Sequence, residues 1–153
     1  MADFIPLLST LLLGLLAGSL LTEATIFVPY WRRMEPAEFF RLHGTLGPNL
    51  FRYYAPLTVL AVSLSVGVAA LYGRNNTPWL IAGGLCLIAL AIFFIYFRAA
   101  NNRFATHDMP DSALKDELVK WSAWHWTRTI IVIAAFGISI FGHLVTSLSL
   151  IHI

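Results

Sequence analysis

The 153-residue chain carries 10 Lys and Arg against 8 Asp and Glu, a formal charge of +2, and is 58% hydrophobic but only 12% charged. Soluble domains average about 25% charged residues, so this composition, with a mean hydropathy of +0.74, excludes a soluble globular domain, a disordered chain and a coiled coil. The small net charge argues against nucleic acid as a partner, and the single cysteine, Cys86, deep in an apolar run, reads as a packed and inert thiol.

A transmembrane helix needs about 20 mostly apolar residues, and four segments meet that requirement. The first, residues 5–31, contains one charge, Glu23; it is too long for the apolar part of a signal peptide, and no basic residue precedes it. Residues 32–52 read as a polar link. The second segment, 53–73, has no charge, and its helix is expected to begin near residue 50. A tight turn at Arg74–Asn76 leads to the third, 77–97, whose helix is expected to continue to residue 101. Residues 98–128 form the longest link, with a turn at Pro110–Asp111 and a short amphipathic helix over Ser112–Lys120 capped by Ser112. The last helix is expected over 122–149. The expectation is an all-α, four-helix transmembrane bundle with spans near 5–31, 50–73, 77–101 and 122–149, forming one membrane domain over 1–153.

Basic residues set the orientation. Arg32, Arg33, Arg41 and Arg52 lie in or beside the first link, and Arg98, Arg103, Lys115, Lys120 and Arg128 in or beside the third; only Arg74 lies in the second. The positive-inside rule then places links one and three in the cytoplasm, with both termini outside (N-out/C-out). The lipid bilayer is the first partner this implies, and a bacterial cytoplasmic membrane the expected location.

Polar groups inside a bilayer are expensive and mark function, and here they gather at one end. Glu23 lies in the second half of the first helix. Asn49 and Arg52 open the second at i, i+3; Arg98, Asn101 and Asn102 end the third; Trp121, Trp124, His125 and Arg128 open the fourth. Trp121, His125 and Arg128 share one face at i, i+4, i+7. His143 and His152 fall at the opposite end. Trp31, Tyr53, Tyr54 and Trp79 fit an interfacial aromatic belt, and Arg32, Arg33, Arg98 and Arg103 fit side chains that reach toward lipid headgroups. Two chemistries suit the gathered set. Glu23, His43 and His125 offer one carboxylate and two imidazoles, the donor count of a facial-triad metal site. Alternatively, Glu23 and His125 act as acid and base on a bound apolar molecule, while Arg128 stabilises a developing oxyanion and tryptophan faces stack an aromatic ring.

The block Trp121-Ser-Ala-Trp124-His125-Trp126-Thr-Arg128-Thr129 resembles the W-x-x-W-[NH]-x-x-R-T signature of the anthrone oxygenase-like membrane proteins. Asn101-Asn102-Arg103 matches a second region of that family in part, without its proline. Phe27-Val28-Pro29 resembles the family's exit from the first helix, and Gly47-Pro48-Asn49 its second-helix start with the order changed. The resemblance implies a small four-helix membrane protein. It also implies, from members that oxidise anthrones to anthraquinones, an oxygenase needing no prosthetic group. The expected function is a membrane oxidoreductase of the monooxygenase type acting on a lipophilic, aromatic or quinone-like small molecule. Glu23, His125 and Arg128 would be catalytic, and Asn49, Arg52, Asn101, Asn102, Trp121 and Trp124 would bind substrate. A metal- or haem-binding electron-transfer protein and a non-enzymatic bundle or transporter subunit are the alternatives. The oxygenase reading also expects an apolar cavity beside Glu23 and His125. It expects His125→Ala to leave the bundle folded.

Overall fold

In a regular helix the Pro29 ring would press on the carbonyl of Thr25, and Pro29 has no N–H to donate. In the computed structural model of the protein, which describes residues 4–151 with side chains through Val145, the chain answers by widening the turn before it into a π-helix over Glu23–Phe27. The helix is not broken, and α1 runs from Phe4 to Trp31. Pro36 then starts α2 (Pro36–Tyr72) from the first-turn position, where a missing N–H costs nothing, after an extended Glu35. A 3-10 turn, Gly73–Asn75, leads into α3 (Thr77–Thr106), which holds a second π turn over Phe93–Phe97. His107, in the left-handed conformation with φ 52°, ends α3. The last helix, α4, spans Asp111–Ile151.

All four helices are long and apolar enough to cross a membrane. The protein is an all-α four-helix bundle, with no strand among the described residues. In sequence order α1 packs on α2, α2 on α3, α3 on α4, and α4 closes the ring on α1.

The helices exceed the expected spans. The 32–52 link is not a polar loop: from Pro36 onward it is the first half of α2, with Pro48 and Pro56 taken into the helix. The short helix at Ser112–Lys120 is likewise continuous with the last span, and α4 starts at Asp111, so Ser112 lies in its first turn rather than capping it. The physical reason is a second core. Phe39 and Phe40 of α2, Ala100 and Phe104 of α3, and Leu114, Leu118 and Trp121 of α4 join Trp31 and Met34 in one buried cluster at the basic end. At about 1.5 Å per residue, α2 and α4 are each well over 50 Å long, against about 30 Å of hydrocarbon. Their extensions form this aromatic cap outside the apolar spans.

The membrane core contains Leu13, Leu16, Leu20, Ala61, Val62, Cys86, Ala89 and Val132. Two tryptophans expected at the interface are interior. Trp31 is 7% exposed, and Trp79, 2% exposed, lies on Gly142, where an added Cβ would meet the ring at 2.6 Å. At Gly83 a Cβ would meet the Ala69 side chain at 2.7 Å and the Ser65 carbonyl at 3.2 Å, so α2 and α3 approach almost backbone to backbone. His152 lies outside the described residues.

Candidate functional site

The widened turn in α1 carries Glu23 at its first residue, 5% exposed. Across from it α4 presents His125, fully buried. His125 Nε2 lies 3.1 Å from the Leu20 carbonyl and 3.8 Å from a Glu23 carboxylate oxygen. A carbonyl only accepts, so Nε2 carries the proton. Arg128, one turn further on, only donates, and its NH2 group lies 3.2 Å from His125 Nδ1. Those two partners fix the tautomer of a neutral imidazole. The Trp121 ring, at i−4, stacks on His125 with centroids 4.9 Å apart and planes within 11°.

Arg128 is held from three sides. Its guanidinium sits 4.3 Å above the Phe97 ring, donates to His125, and faces the Glu23 carboxylate electrostatically. Its Nε is buried and meets no hydrogen-bond partner. Tyr54 of α2 lies beside Glu23 and donates its one O–H to the Ser19 carbonyl at 2.9 Å. Phe97, fully buried, ends the second π turn. Each of the four helices therefore gives at least one side chain to the cluster, α4 giving both His125 and Arg128, and two of the side chains, Glu23 and Phe97, come from π turns, a feature often found at functional sites.

The other candidates divide. Asn101 accepts from the Trp121 indole N–H at 2.9 Å and braces the stacked pair. Trp124 stacks on Tyr96 at 5.5 Å, away from Glu23. Asn102 faces outward, as do Asn49 and Arg52. The reason for the last two is the continuity of α2: with Pro48 inside the helix, Leu46, Leu50, Tyr54 and Leu57 make the inward stripe, which leaves Asn49 and Arg52 on the outer side. Asn49→Ala and Arg52→Ala should each shift stability by less than about 0.5 kcal/mol, measured by unfolding in detergent. A larger loss would place them in contacts the bundle does not contain.

His43 does not join Glu23 and His125. It stacks on Phe39 at 5.5 Å and meets Phe104 edge-on at 5.5 Å, within the cap. Among the described residues no three His, Cys, Asp or Glu side chains are grouped to hold a metal ion, so the facial-triad set is not assembled. Beside His125, where a cavity was expected, stand the Phe97 and Trp121 rings, with centroids 6.2 and 4.9 Å from the imidazole. A small, partly open cavity of about 10 Å³ lies in the cap, between Trp31, Phe39 and His43, and an open cleft of about 390 Å³ lies outside α3. At the far end, His143 bonds Thr10 at 3.1 Å and meets Trp79 edge-on.

Tyr54 and Phe97 are the members that sequence reasoning missed. Tyr54 was expected in the interfacial belt. Its one usable signal is membership of the inward stripe of a continuous α2.

Fold and cluster together define a multi-pass membrane bundle with a carboxylate, an imidazole, a phenol and a guanidinium enclosed at one level. A family model described as anthrone oxygenase matches residues 48–138, more than half of the chain, and the chain belongs to that family. The match takes in Tyr54, Phe97, His125 and Arg128, while Glu23 lies before it. No curated protein and no solved structure shows a match to the chain.

Proposed function

We propose that the protein is a membrane-embedded oxygenase that oxidises a lipophilic, fused-ring aromatic ketone to a quinone, in a cytoplasmic membrane with both termini outside. The observation that carries this reading is the enclosed Glu23–Tyr54–His125–Arg128 cluster with its one unused buried donor, Arg128 Nε. Family membership supports the reaction class. For an anthrone the balance is one ring methylene and one O2 giving one carbonyl and one water.

The chain's part in this reaction is proton transfer and charge placement. Glu23 accepts a methylene proton, and the electron pair left behind moves onto the ketone oxygen. Arg128, through Nε–H, takes up that developing oxyanion in a site where charge is poorly screened. His125 is a positioning residue in this scheme. Both of its nitrogens are engaged, and it holds Arg128 in place by accepting from it. Tyr54, tied to the Ser19 carbonyl, packs beside the carboxylate. Phe97 and Trp121 supply flat aromatic faces against which a ring system stacks.

The test is O2 uptake with quinone formation by purified protein in lipid nanodiscs given anthrone, with and without chelator. Glu23→Gln should lower turnover per folded molecule about a hundredfold, and it should also lower stability, because Arg128 is left without the carboxylate that faces it. Turnover indifferent to Glu23→Gln, or none in the wild type, would sink the reading. Elemental analysis and an optical spectrum of the same preparation separate it from a metal or haem protein.

A further inference from the structure

The cleft outside α3 is separate from the buried cluster. It is lined by Phe94, Arg98, Ala99 and Asn102 and holds about 390 Å³. Phe94, Arg98 and Asn102 follow one another at four-residue intervals, and the π turn over Phe93–Phe97 sets their direction. It sends Phe97 inward against Arg128 and leaves Phe94 58% and Ile95 72% exposed.

Arg98 is the first residue after the uncharged run 77–97. That run is about 30 Å long as a helix, the thickness of a bilayer's hydrocarbon. Arg98 and Asn102 therefore stand at the level of the headgroup phosphates, with Phe94 a turn deeper, among the acyl chains. Neither the Arg98 guanidinium nor the Asn102 amide has a hydrogen-bond or ion-pair partner among the described residues, whereas nearby Arg103 is paired with Glu117 at 2.6 Å. An unpaired planar fork of donors, a second donor group one turn away and an apolar floor below them match one chemistry: a phosphodiester attached to acyl chains.

We infer that this cleft is a binding site for an acidic phospholipid, with the phosphate on Arg98 and Asn102 and an acyl chain along Phe94 and Ile95. It stands independently of the oxygenase reading. It is also more than the general attraction of basic residues to a membrane surface, because Arg32 and Arg33, exposed at the same end of the bundle, are not part of it.

The experiment titrates detergent-purified full-length protein with phosphatidylglycerol and with phosphatidylcholine and counts bound lipid by native mass spectrometry. One phosphatidylglycerol should bind in preference to phosphatidylcholine. Arg98→Gln should weaken it about tenfold, and Asn102→Ala by less. The double variant Arg32→Gln/Arg33→Gln should leave it unchanged. Arg98 and Asn102 are exposed, so helicity and elution volume should match wild type and show that the variants fold. Equal binding of the two lipids, or equal loss in Arg98→Gln and the Arg32/Arg33 variant, overturns the site. So does displacement of the lipid by anthraquinone, which would make the cleft a substrate entrance.

Discussion

Arg128→Met should destabilise the bundle by about 3 kcal/mol: Glu23 and Arg128 stand beyond ion-pair contact, and what is lost is the charge that compensates a buried carboxylate. The side-chain volume is nearly kept, so the loss is mainly electrostatic. Glu23 would lose the guanidinium that faces it, His125 Nδ1 its donor, and the Phe97 face its cation. Glu23→Gln in the same background removes the stranded charge and should recover most of the loss. A double-mutant cycle with unfolding in mixed micelles reads the coupling directly. Additive effects of Arg128→Met and Glu23→Gln would show that the two side chains do not sense one another, and the cluster would lose its centre.

Much of this arrangement is legible in the sequence, for reasons that differ by residue. Glu23 stands out because a lone charge among the 28 residues of α1 needs company in a bilayer. Trp121, His125 and Arg128 are legible because i, i+4, i+7 spacing fixes their common face whatever surrounds them. Asn49 and Arg52 mislead because their direction depends on whether Pro48 breaks the helix. The cap core of Phe39, Phe40 and Phe104 favours keeping α2 intact, and that core is assembled from three segments far apart in sequence. Tyr54 is hidden for the same kind of reason. Its neighbours, Ser19 and Glu23, are one turn apart on α1, but nothing local to residue 54 announces them.

The two π turns are the least legible feature and shape the site most. The one in α1 has a visible cause in Pro29; the one in α3 contains no proline. Each adds a residue to a turn and so rotates everything beyond it by about 100° relative to a regular helix. In α1 the turn begins at Glu23, whose side chain faces the bundle axis. In α3 it ends at Phe97, buried under Arg128, with Phe94 and Arg98 on the outer side. The inner cluster and the outer cleft are thus opposite faces of the same local change in helical pitch.

His125→Ala should cost about 3 kcal/mol, against the sequence-based expectation that the bundle would tolerate it. That expectation rested on His125 opening a helix near the interface, whereas α4 begins at Asp111 and places His125 more than three turns inside. The side chain is fully buried, stacks on Trp121, and bonds the Leu20 carbonyl and Arg128. Truncation opens a cavity and leaves Arg128 with one hydrogen bond fewer, and each effect alone is worth about 1–3 kcal/mol. His143→Ala removes a half-buried ring bonded to Thr10 and packed on Trp79, so it should also destabilise, but less. Unfolding in mixed micelles gives both values, and turnover per folded molecule separates stability from chemistry. If His125 positions Arg128, the folded fraction of His125→Ala is slow because Arg128 has lost its anchor, while folded His143→Ala works at the wild-type rate. A His125→Ala protein as stable as wild type would contradict the buried, doubly bonded imidazole. A destabilised one with full turnover per folded molecule would keep that geometry and remove His125 from the reaction.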